Sequence, residues 1–283
     1  RVYCGIAGSH IKAFNSHGVI AIKNKEISQA DIDRVLEATQ TVLIPSDREV
    51  IHVIPQEFIV DDQEGIQQPI GMIGNRLEVR VHIVTAAVTS AQNIIKCANK
   101  AGLDVADIVL QQIASSEAVL NNDEREIGAA LVDIGGGTTD IAIYQNGAIK
   151  YTTVIPLGGN QITNDISVGL RTSVSEAENL KKKWGCAMTA AVSKEDSIEV
   201  PNVDGSKSRS LTRYMLSEII EPRVEEMFEL VRREMLKSGY ENLVTAGIVL
   251  TGGTASMEGI TDLGEQVFNL PVRRGLPANI TGL

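Results

Sequence analysis

Apolar and polar positions along the chain change period several times, and each change marks an element. Residues 2 to 7 read as a short strand, and IKAFNSHGVIAI, 11 to 22, adds alternating β-type positions around a turn expected at Asn15 to Gly18. Ser28 precedes ADIDRVLEATQTV, in which Ile32, Val35, Leu36 and Thr39 recur at helical spacing and Asp31 falls in the first turn. REVIHVIPQEFIVD, 48 to 61, reads as strand, with Pro55 expected to mark a break or an edge. RLEVRVHIVTA, 76 to 86, alternates cleanly, so residues 11 to 82 form a strand, helix, strand, strand unit of the α+β kind. A helix from Thr89 to Ala101 follows, and GLDVADIVLQQIAS then supplies a strand and the start of another helix, turning the pattern α/β.

The stretch 129 to 155 contains AALVDIG, TTDIAIYQ and a third apolar run after Asn146-Gly147. Both central residues of such a turn need positive φ, so three antiparallel strands are expected in succession. From 159 to 245 the pattern is mostly helical: around Gln161 to Gly169, through SVSEAENLKKKWG, and along EIIEPRVEEMFELVRREMLKSG. In the last of these Ile219, Val224, Met227, Phe228, Val231 and Met235 trace one apolar face, and Gly239 stands where a C-terminal stop belongs. Between them SIEVPNVDGSKSRSL, 197 to 211, reads as a short hairpin or loop carrying basic residues. AGIVLTGG, 246 to 253, is a buried strand ending in a glycine pair, followed by a helix from about Met257 to Phe268 and a short VRRG strand.

Composition narrows the function classes. With 283 residues, 43% of them hydrophobic, the chain can bury one large core or two moderate ones. A formal charge of -10 argues against general nucleic-acid binding, which needs a basic face. Cys4, Cys97 and Cys186 lack metal or redox spacing and fit buried thiols in a reducing cytosol, and Cys186 beside Trp184 and Gly185 reads as a packed helix end. His52 and His82 fall on strand patterns and read as packing or surface histidines. No apolar run approaches the roughly 20 residues of a membrane span. No signal peptide precedes Arg1, and a start directly on a strand with an end at NITGL reads as a fragment.

Candidate chemistry concentrates at two glycine corners. A backbone amide can touch a phosphate oxygen only where no Cβ intervenes, and glycine permits the positive φ that aims successive N–H groups one way. In DIGGGTTD, Gly135, Gly136 and Gly137 form such a cradle, Thr138 and Thr139 add hydroxyl donors, and Asp133 and Asp140 offer carboxylates toward a metal-bound water. The hairpin that follows separates this loop from nucleotide loops that open a helix, and a purely structural glycine turn or bulge fits the same residues. TGGTASMEG, 251 to 259, places Gly252 and Gly253 after a buried strand and before a helix, where backbone can approach a nucleotide.

Two such corners, with a helical segment between them, resemble the actin-like ATPase superfamily. The resemblance implies an α/β, actin-like (ribonuclease H-like) ATPase fold, here truncated and carrying an α+β insertion. It further implies ATP with Mg as ligands. The first corner would bind the β- and γ-phosphates and the second, with Thr254 and Met257, would approach the adenosine. An AExxK-type helix would grip ribose and base, and AENLKKKWG offers Glu178, Lys181 and Lys182 for it; alone, that segment also reads as a solvated charged helix.

Longer stretches narrow the resemblance to the FtsA family of bacterial cell-division proteins. They are HVIPQEFIVDDQEGIQQPIG, IASSEAVL, DEREIGAALVDIGGGTTDIAIY, VIPLGGNQITNDI, IEVPNVDG, AGIVLTGGTASMEGI and LPANITGL. By resemblance, 1 to 10 and 83 to 127 belong to subdomain 1A, 11 to 82 to the inserted 1C, 128 to 165 and 246 to 283 to 2A, and 166 to 245 to 2B. The family's first phosphate loop, its last 2A elements and its C-terminal amphipathic membrane helix are expected to lie outside these residues.

The resemblance implies a nucleotide-gated adaptor with at most weak turnover, which links FtsZ filaments to the cytoplasmic face of the inner membrane at the septum, self-assembles and recruits later division proteins, with 1C a candidate recruiter. The acidic FtsZ C-terminal peptide would dock on 2B, where Lys207, Arg209 and Arg213, or Lys181 to Lys183, supply cations that also read as ordinary surface charges. A PilM-like pilus-assembly platform shares this architecture, and a chaperone or sugar-kinase ATPase is the enzyme alternative; the IPQEF and NITGL stretches weigh against the first and the insertion against the second.

Overall fold

The computed structural model describes residues 1–41, 44–202 and 208–278. Strand β1 (Val2–Ile6) leads into an α+β unit made of β2 (Lys12–Ala21), helix α1 (Gln29–Thr39), β3 (Arg48–Val60), β4 (Gln63–Ile66) and β5 (Arg76–Ala87). Its strands pair antiparallel in the order β2-β5-β3-β4. The alternation read along β5 is the packing: Leu77, Val79, Val81 and Ile83 are buried in one cluster with Ile32 and Val35 of α1.

The turn expected at Asn15 to Gly18 is not formed. Strand β2 runs unbroken and pairs with β5 from Lys12↔Thr85 to Ala21↔Arg76. Gly18 serves close packing instead, since a Cβ there would fall 2.6 Å from the Val35 carbonyl oxygen of α1 and 2.8 Å from Thr39 Cγ2. Pro55 does not end β3 either; a register shift between Pro55 and Glu57 absorbs it.

Next come α2 (Val88–Lys100), β6 (Val105–Leu110), which pairs parallel with β1, α3 (Gln111–Val119) and α4 (Asn122–Ile127). The antiparallel run β7 (Ala129–Ile134), β8 (Thr139–Gln145) and β9 (Ala148–Ile155) follows, with Asn146 at φ 52° and Gly147 at φ 71° in the expected tight turn. Helices α5 (Gly159–Gly169) and α6 (Val174–Trp184), the hairpin of β10 (Ser197–Val200) with β11 (Arg209–Thr212), and the long α7 (Arg213–Ser238) form the helical segment. Strand β12 (Gly247–Thr251), helix α8 (Ile260–Phe268) and strand β13 (Val272–Arg274) complete it.

The central sheet has the order β13-β12-β7-β8-β9, parallel from β13 to β7 and antiparallel from β7 to β9. Ala130, Val132 and Ile134 of β7 pack on one side with Ile162, Val224 and Phe228, while Leu131 packs on the other with Val119 and Val249. Burial on both faces explains why this strand reads as a continuous apolar run. Helix α7 starts earlier than its apolar face suggests, where the Thr212 hydroxyl accepts from Met215 N, and it tolerates Pro222 in its interior before stopping at Gly239 with φ 73°.

The inserted unit meets the central sheet along β9. Gln56 Nε2 donates to the Ile149 carbonyl at 2.7 Å and Asn15 Nδ2 to the Lys150 carbonyl at 3.1 Å. His82 bridges Asn15 Oδ1 at 2.7 Å and Thr152 Oγ1 at 2.8 Å. Burial holds the His82 imidazole down at about 4, so it is neutral in this bridge at neutral pH. His52 is a packing residue too, its Nε2 accepting from Leu110 N at 2.9 Å. Among the described residues no helix is long and apolar enough to cross a membrane.

Candidate functional site

The first corner joins β7 to β8. Gly135 N donates to the Thr138 carbonyl at 2.9 Å and closes the loop, while the carbonyls of Gly135 and Gly136 accept from Gly159 N at 2.9 Å and Asn160 N at 2.8 Å. The loop therefore rests on the N-terminus of α5, and this needs a further glycine pair, Gly158 and Gly159. A Cβ on Gly158 would lie 2.7 Å from both loop carbonyls, and one on Gly159 2.6 Å from Thr254 Oγ1. Sequence reasoning did not nominate Gly158, Gly159 or Asn160 as site residues, although a glycine pair between a strand and a helix was visible in VIPLGGNQ.

The second corner closes on the first. Gly252 has φ 86°, a conformation natural to glycine, and a Cβ there would fall 2.5 Å from Asp133 Oδ1. Thr254 Oγ1 donates to the Gly135 carbonyl at 3.3 Å. Gly137 and Gly253, by contrast, have no neighbouring atom within 4 Å of a Cβ, so their bareness serves nothing inside the described fold.

Asp133 and Asp140 lie directly opposite each other across β7 and β8 and are both buried. Ser115 Oγ donates to Asp133 Oδ2 at 2.7 Å. Asp140 accepts from Gln112 Nε2 at 2.9 Å and from Thr138 Oγ1 at 2.8 Å. Burial raises Asp140 to about 6 despite the Thr138 hydrogen bond, and the Asp133 charge adds to the rise. Among the described residues no three His, Cys, Asp or Glu side chains gather to hold a metal by themselves. A carboxylate pair suits a cation such as Mg²⁺, which is commonly held by one or two carboxylates plus substrate phosphates. Of the two expected hydroxyl donors, Thr138 is spent on Asp140, and Thr139 is buried and donates to the Leu157 carbonyl at 2.8 Å. Thr139 thus holds the hairpin together instead of facing the loop.

Helix α6 supplies the facing wall. Lys181 Nζ reaches Glu178 Oε2 at 2.7 Å, Thr163 Oγ1 at 2.8 Å and the Gly159 carbonyl at 3.0 Å, tying α6 to α5 beside the glycine loop. Partial burial would raise Glu178, but hydrogen bonds from Lys181, Thr163 and Lys182 outweigh it and hold the carboxyl at about 2. Between α6 and the second corner lies a cleft of about 280 Å³, with Lys181 to Lys183 and Arg213 on one side and Gly253, Thr254 and Met257 on the other. Lysine-bearing helix and second glycine corner, expected to face one ligand, do line one cleft. Cys186 closes the end of α6 as a buried thiol donating to the Met188 carbonyl, and burial pushes its pKa up.

The cations expected to receive an acidic peptide need correction. Arg209 donates to the Leu170 carbonyl, and Arg213 donates to the Trp184 carbonyl at 2.9 Å and pairs with Glu258 inside the cleft. Neither is a free surface charge. Lys207 lies outside the described residues; Lys181 and Lys182 both pair with Glu178, Lys182 from a side chain that is 71% exposed, and Lys183 lies over the Trp184 ring.

The family profile described as "Cell division protein FtsA" matches residues 130–282, and one described as "SHS2 domain inserted in FTSA" matches residues 8–85. The cell division protein FtsA of Pseudomonas aeruginosa is 51% identical over 281 residues, covering 99% of this chain and 67% of that protein. The cell division protein FtsA of Escherichia coli is 43% identical over 289 residues, covering 100% of this chain and 69% of its own length. Among solved structures, the PilM-PilN type IV pilus biogenesis complex aligns with a TM-score of 0.66 at 14% identity, covering 96% of this chain and 68% of the other. MreB5 of Spiroplasma citri bound to ADP aligns with a TM-score of 0.57 at 21% identity, covering 68% of this chain and 61% of the other. Those two structures share the actin-like fold, and at such identities the likeness is one of fold alone.

Proposed function

The chain belongs to the FtsA family of cell-division proteins, and from that premise we propose that it is an ATP-gated adaptor. It binds ATP with Mg²⁺ at the converging glycine corners and couples that binding to assembly. The observation that carries this reading is that the two glycine corners meet, Thr254 Oγ1 on the Gly135 carbonyl at 3.3 Å, beside a cation-walled cleft lined by α6 and the second corner, with Gly137 and Gly253 in open space. MreB5, of the same fold, holds ADP in its crystal structure. In this chain Gly135 to Gly137 would cradle the β- and γ-phosphates, and Asp133, backed by Asp140, would face the metal. Gly252, Gly253, Thr254 and Met257 would lie along the adenosine, with Glu178, Lys181 and Lys182 toward the ribose. Mg²⁺ would supply charge neutralisation of the phosphates. The hydroxyls of Ser115 and Thr138 are bound to the carboxylates of Asp133 and Asp140, and the site is read as one whose ligand biases conformation.

The subdomain reading follows: 1A at 1–10 and 83–127, 1C at 11–82, 2A at 128–165 and 246–283, and 2B at 166–245. With the family goes the proposed cellular role, linking FtsZ filaments through their C-terminal peptide on 2B to the cytoplasmic face of the inner membrane at the septum. A terminal amphipathic helix of the longer protein would provide the attachment, self-assembly the filament, and 1C a surface for later division proteins.

Titration of Mg·ATP into Gly137→Ala and Gly253→Ala variants tests the site. Gly253 has φ -61°, which alanine adopts freely, and neither position crowds a Cβ. Affinity should fall at least roughly tenfold while unliganded stability stays within about 0.5 kcal/mol. Unchanged affinity in both variants would remove the corners as the phosphate site.

A further inference from the structure

Gln56 is the extra residue of a β-bulge. Pro55 pairs with Val81 and Glu57 with Arg80, so Gln56 has no opposite residue on β5. A bulge re-aims a side chain at the cost of regular pairing. Here the amide leaves the inserted unit and donates to the Ile149 carbonyl on β9 at 2.7 Å, which buries Gln56 to 5% exposure. Asn15 Nδ2 donates to the Lys150 carbonyl and to the Tyr240 hydroxyl, both at 3.1 Å, and His82 Nε2 meets Thr152 Oγ1 at 2.8 Å. Three side chains of the inserted unit thus form one row along β9.

The row joins two bodies that are each held by apolar packing. Up to Leu110, the inserted unit is welded to β1, α2 and β6 through a buried cluster of Ile6, Ala86, Ala91 and Ile108, with Ile11 and Ile51 packed on it. Arg48 adds hydrogen bonds to the His10 and Thr85 carbonyls, each at 2.8 Å. From Gln111 on, α3 belongs with the central sheet, Val119 and Leu120 being buried with Leu131, Ala142 and Val249. Between the bodies Ile54 packs against that second cluster, and beside the row lies a cavity of about 260 Å³ bordered by Lys12, Ala13, Gln112 and Thr152 to Val154. A boundary with room for several waters is not close-packed. Gln112 is fully buried, and its Oε1 finds no protein partner among the described residues, which suits a wet boundary.

We propose that Asn15, Gln56 and His82 form a releasable latch: the body ending at Leu110 swings about the Leu110–Gln111 joint, and the row on β9 fixes it in the orientation described above. A neutral hydrogen bond given up here is replaced by one to water, so its net loss is small, whereas the apolar joins inside each body have no such substitute. Contacts between domains that lack a large apolar area are the ones that move. Release redirects the inserted unit as a whole, and with it the exposed Ile70 and Ile73. The latch is independent of the nucleotide reading.

The test is a spin-label distance between Glu37 on α1 and Glu199 on β10, both exposed, in the full-length protein without nucleotide. Labels carried on non-natural amino acids leave the cysteines in place, and dilution with unlabelled protein keeps the distance within one chain. The parent should give one narrow distribution. Gln56→Met combined with Thr152→Val removes two anchors at nearly constant volume and should add a second distance, displaced by more than about 2 Å. Asn15→Ala, at an exposed position, should broaden the distribution in the same direction and serves where the double variant does not fold. Gly18→Ala disturbs the packing of α1 on β2 without touching the row and should leave the distribution as it is. An unchanged distribution in the latch variants, a parent already split between two distances, or equal broadening in Gly18→Ala would each overturn the latch.

Discussion

Gly252, just past the end of β12, and Asp133, on β7, are so close that a Cβ at residue 252 would lie 2.5 Å from Asp133 Oδ1 and 2.5 Å from the Ile134 carbonyl oxygen. The two corners, distant in sequence, are thus one piece of structure. Alanine at 252 meets both this contact and a φ of 86°. Gly252→Ala should cost roughly 2–4 kcal/mol of stability, read as a lower urea midpoint at unchanged slope, whereas Gly253→Ala should not.

Asp140 and His82 give stability a pH dependence in opposite senses. Burial lifts Asp140 from 3.8 to about 6, so the native state holds its proton more tightly than the unfolded chain. Its contribution is fully present below pH 3.8 and is lost as pH rises through about 6, a change of order 3 kcal/mol. Asp140→Asn should therefore raise unfolding free energy at pH 7 relative to pH 4, compared with the parent, in denaturant titrations at both pH values.

His82 works the other way. Its neutral form is favoured in the fold, so stability is full above pH 6.5 and falls as pH drops toward about 4, by roughly 3 kcal/mol overall. His82→Gln should remove that acid-side loss. Because the two windows overlap between about pH 4 and 6, the parent shows only the difference, and each contribution emerges in the variant lacking the other.

Lys181 and Lys182 share Glu178 yet should differ in consequence. Lys181 has 10% of its side chain exposed and bonds three partners, so Lys181→Ala leaves Glu178 and Thr163 without their shared donor and should cost about 1–3 kcal/mol by thermal melting. Lys182 has 71% exposed, and Lys182→Ala should change stability by less than about 0.5 kcal/mol.

Close packing of α1 on β2 supplies a test away from the site. Gly18→Ala would force a Cβ to within 2.6 Å of the Val35 carbonyl oxygen, so it should destabilise by roughly 1–3 kcal/mol and leave Mg·ATP affinity unchanged.

Periodicity made the strands and helices legible wherever burial was one-sided, as along β5, and hairpin chemistry made Asn146-Gly147 legible locally. Gly18 misled because a glycine that admits a helix and one that makes a turn look alike in sequence. At the site, the glycine corners could be nominated from the residues themselves, and the lysine helix only through the family resemblance. Their supports could not: Thr139, Gly158 and Arg213 acquire their roles from partners 18, 23 and 45 residues away, at Leu157, Gly135 and Glu258, and a chain-local pattern carries no information about such pairings.

The amides of Gln56 and Asn15 on the carbonyls of Ile149 and Lys150 have a consequence for association. Strand β9 ends the central sheet, and an uncovered terminal strand is a template onto which a foreign strand can add, the route by which open sheets aggregate. Here the inserted unit occupies that template with side chains that satisfy the carbonyls without extending the ladder. A foreign strand adding at Ile149 and Lys150 would therefore first have to displace the amides of Gln56 and Asn15 from their carbonyls.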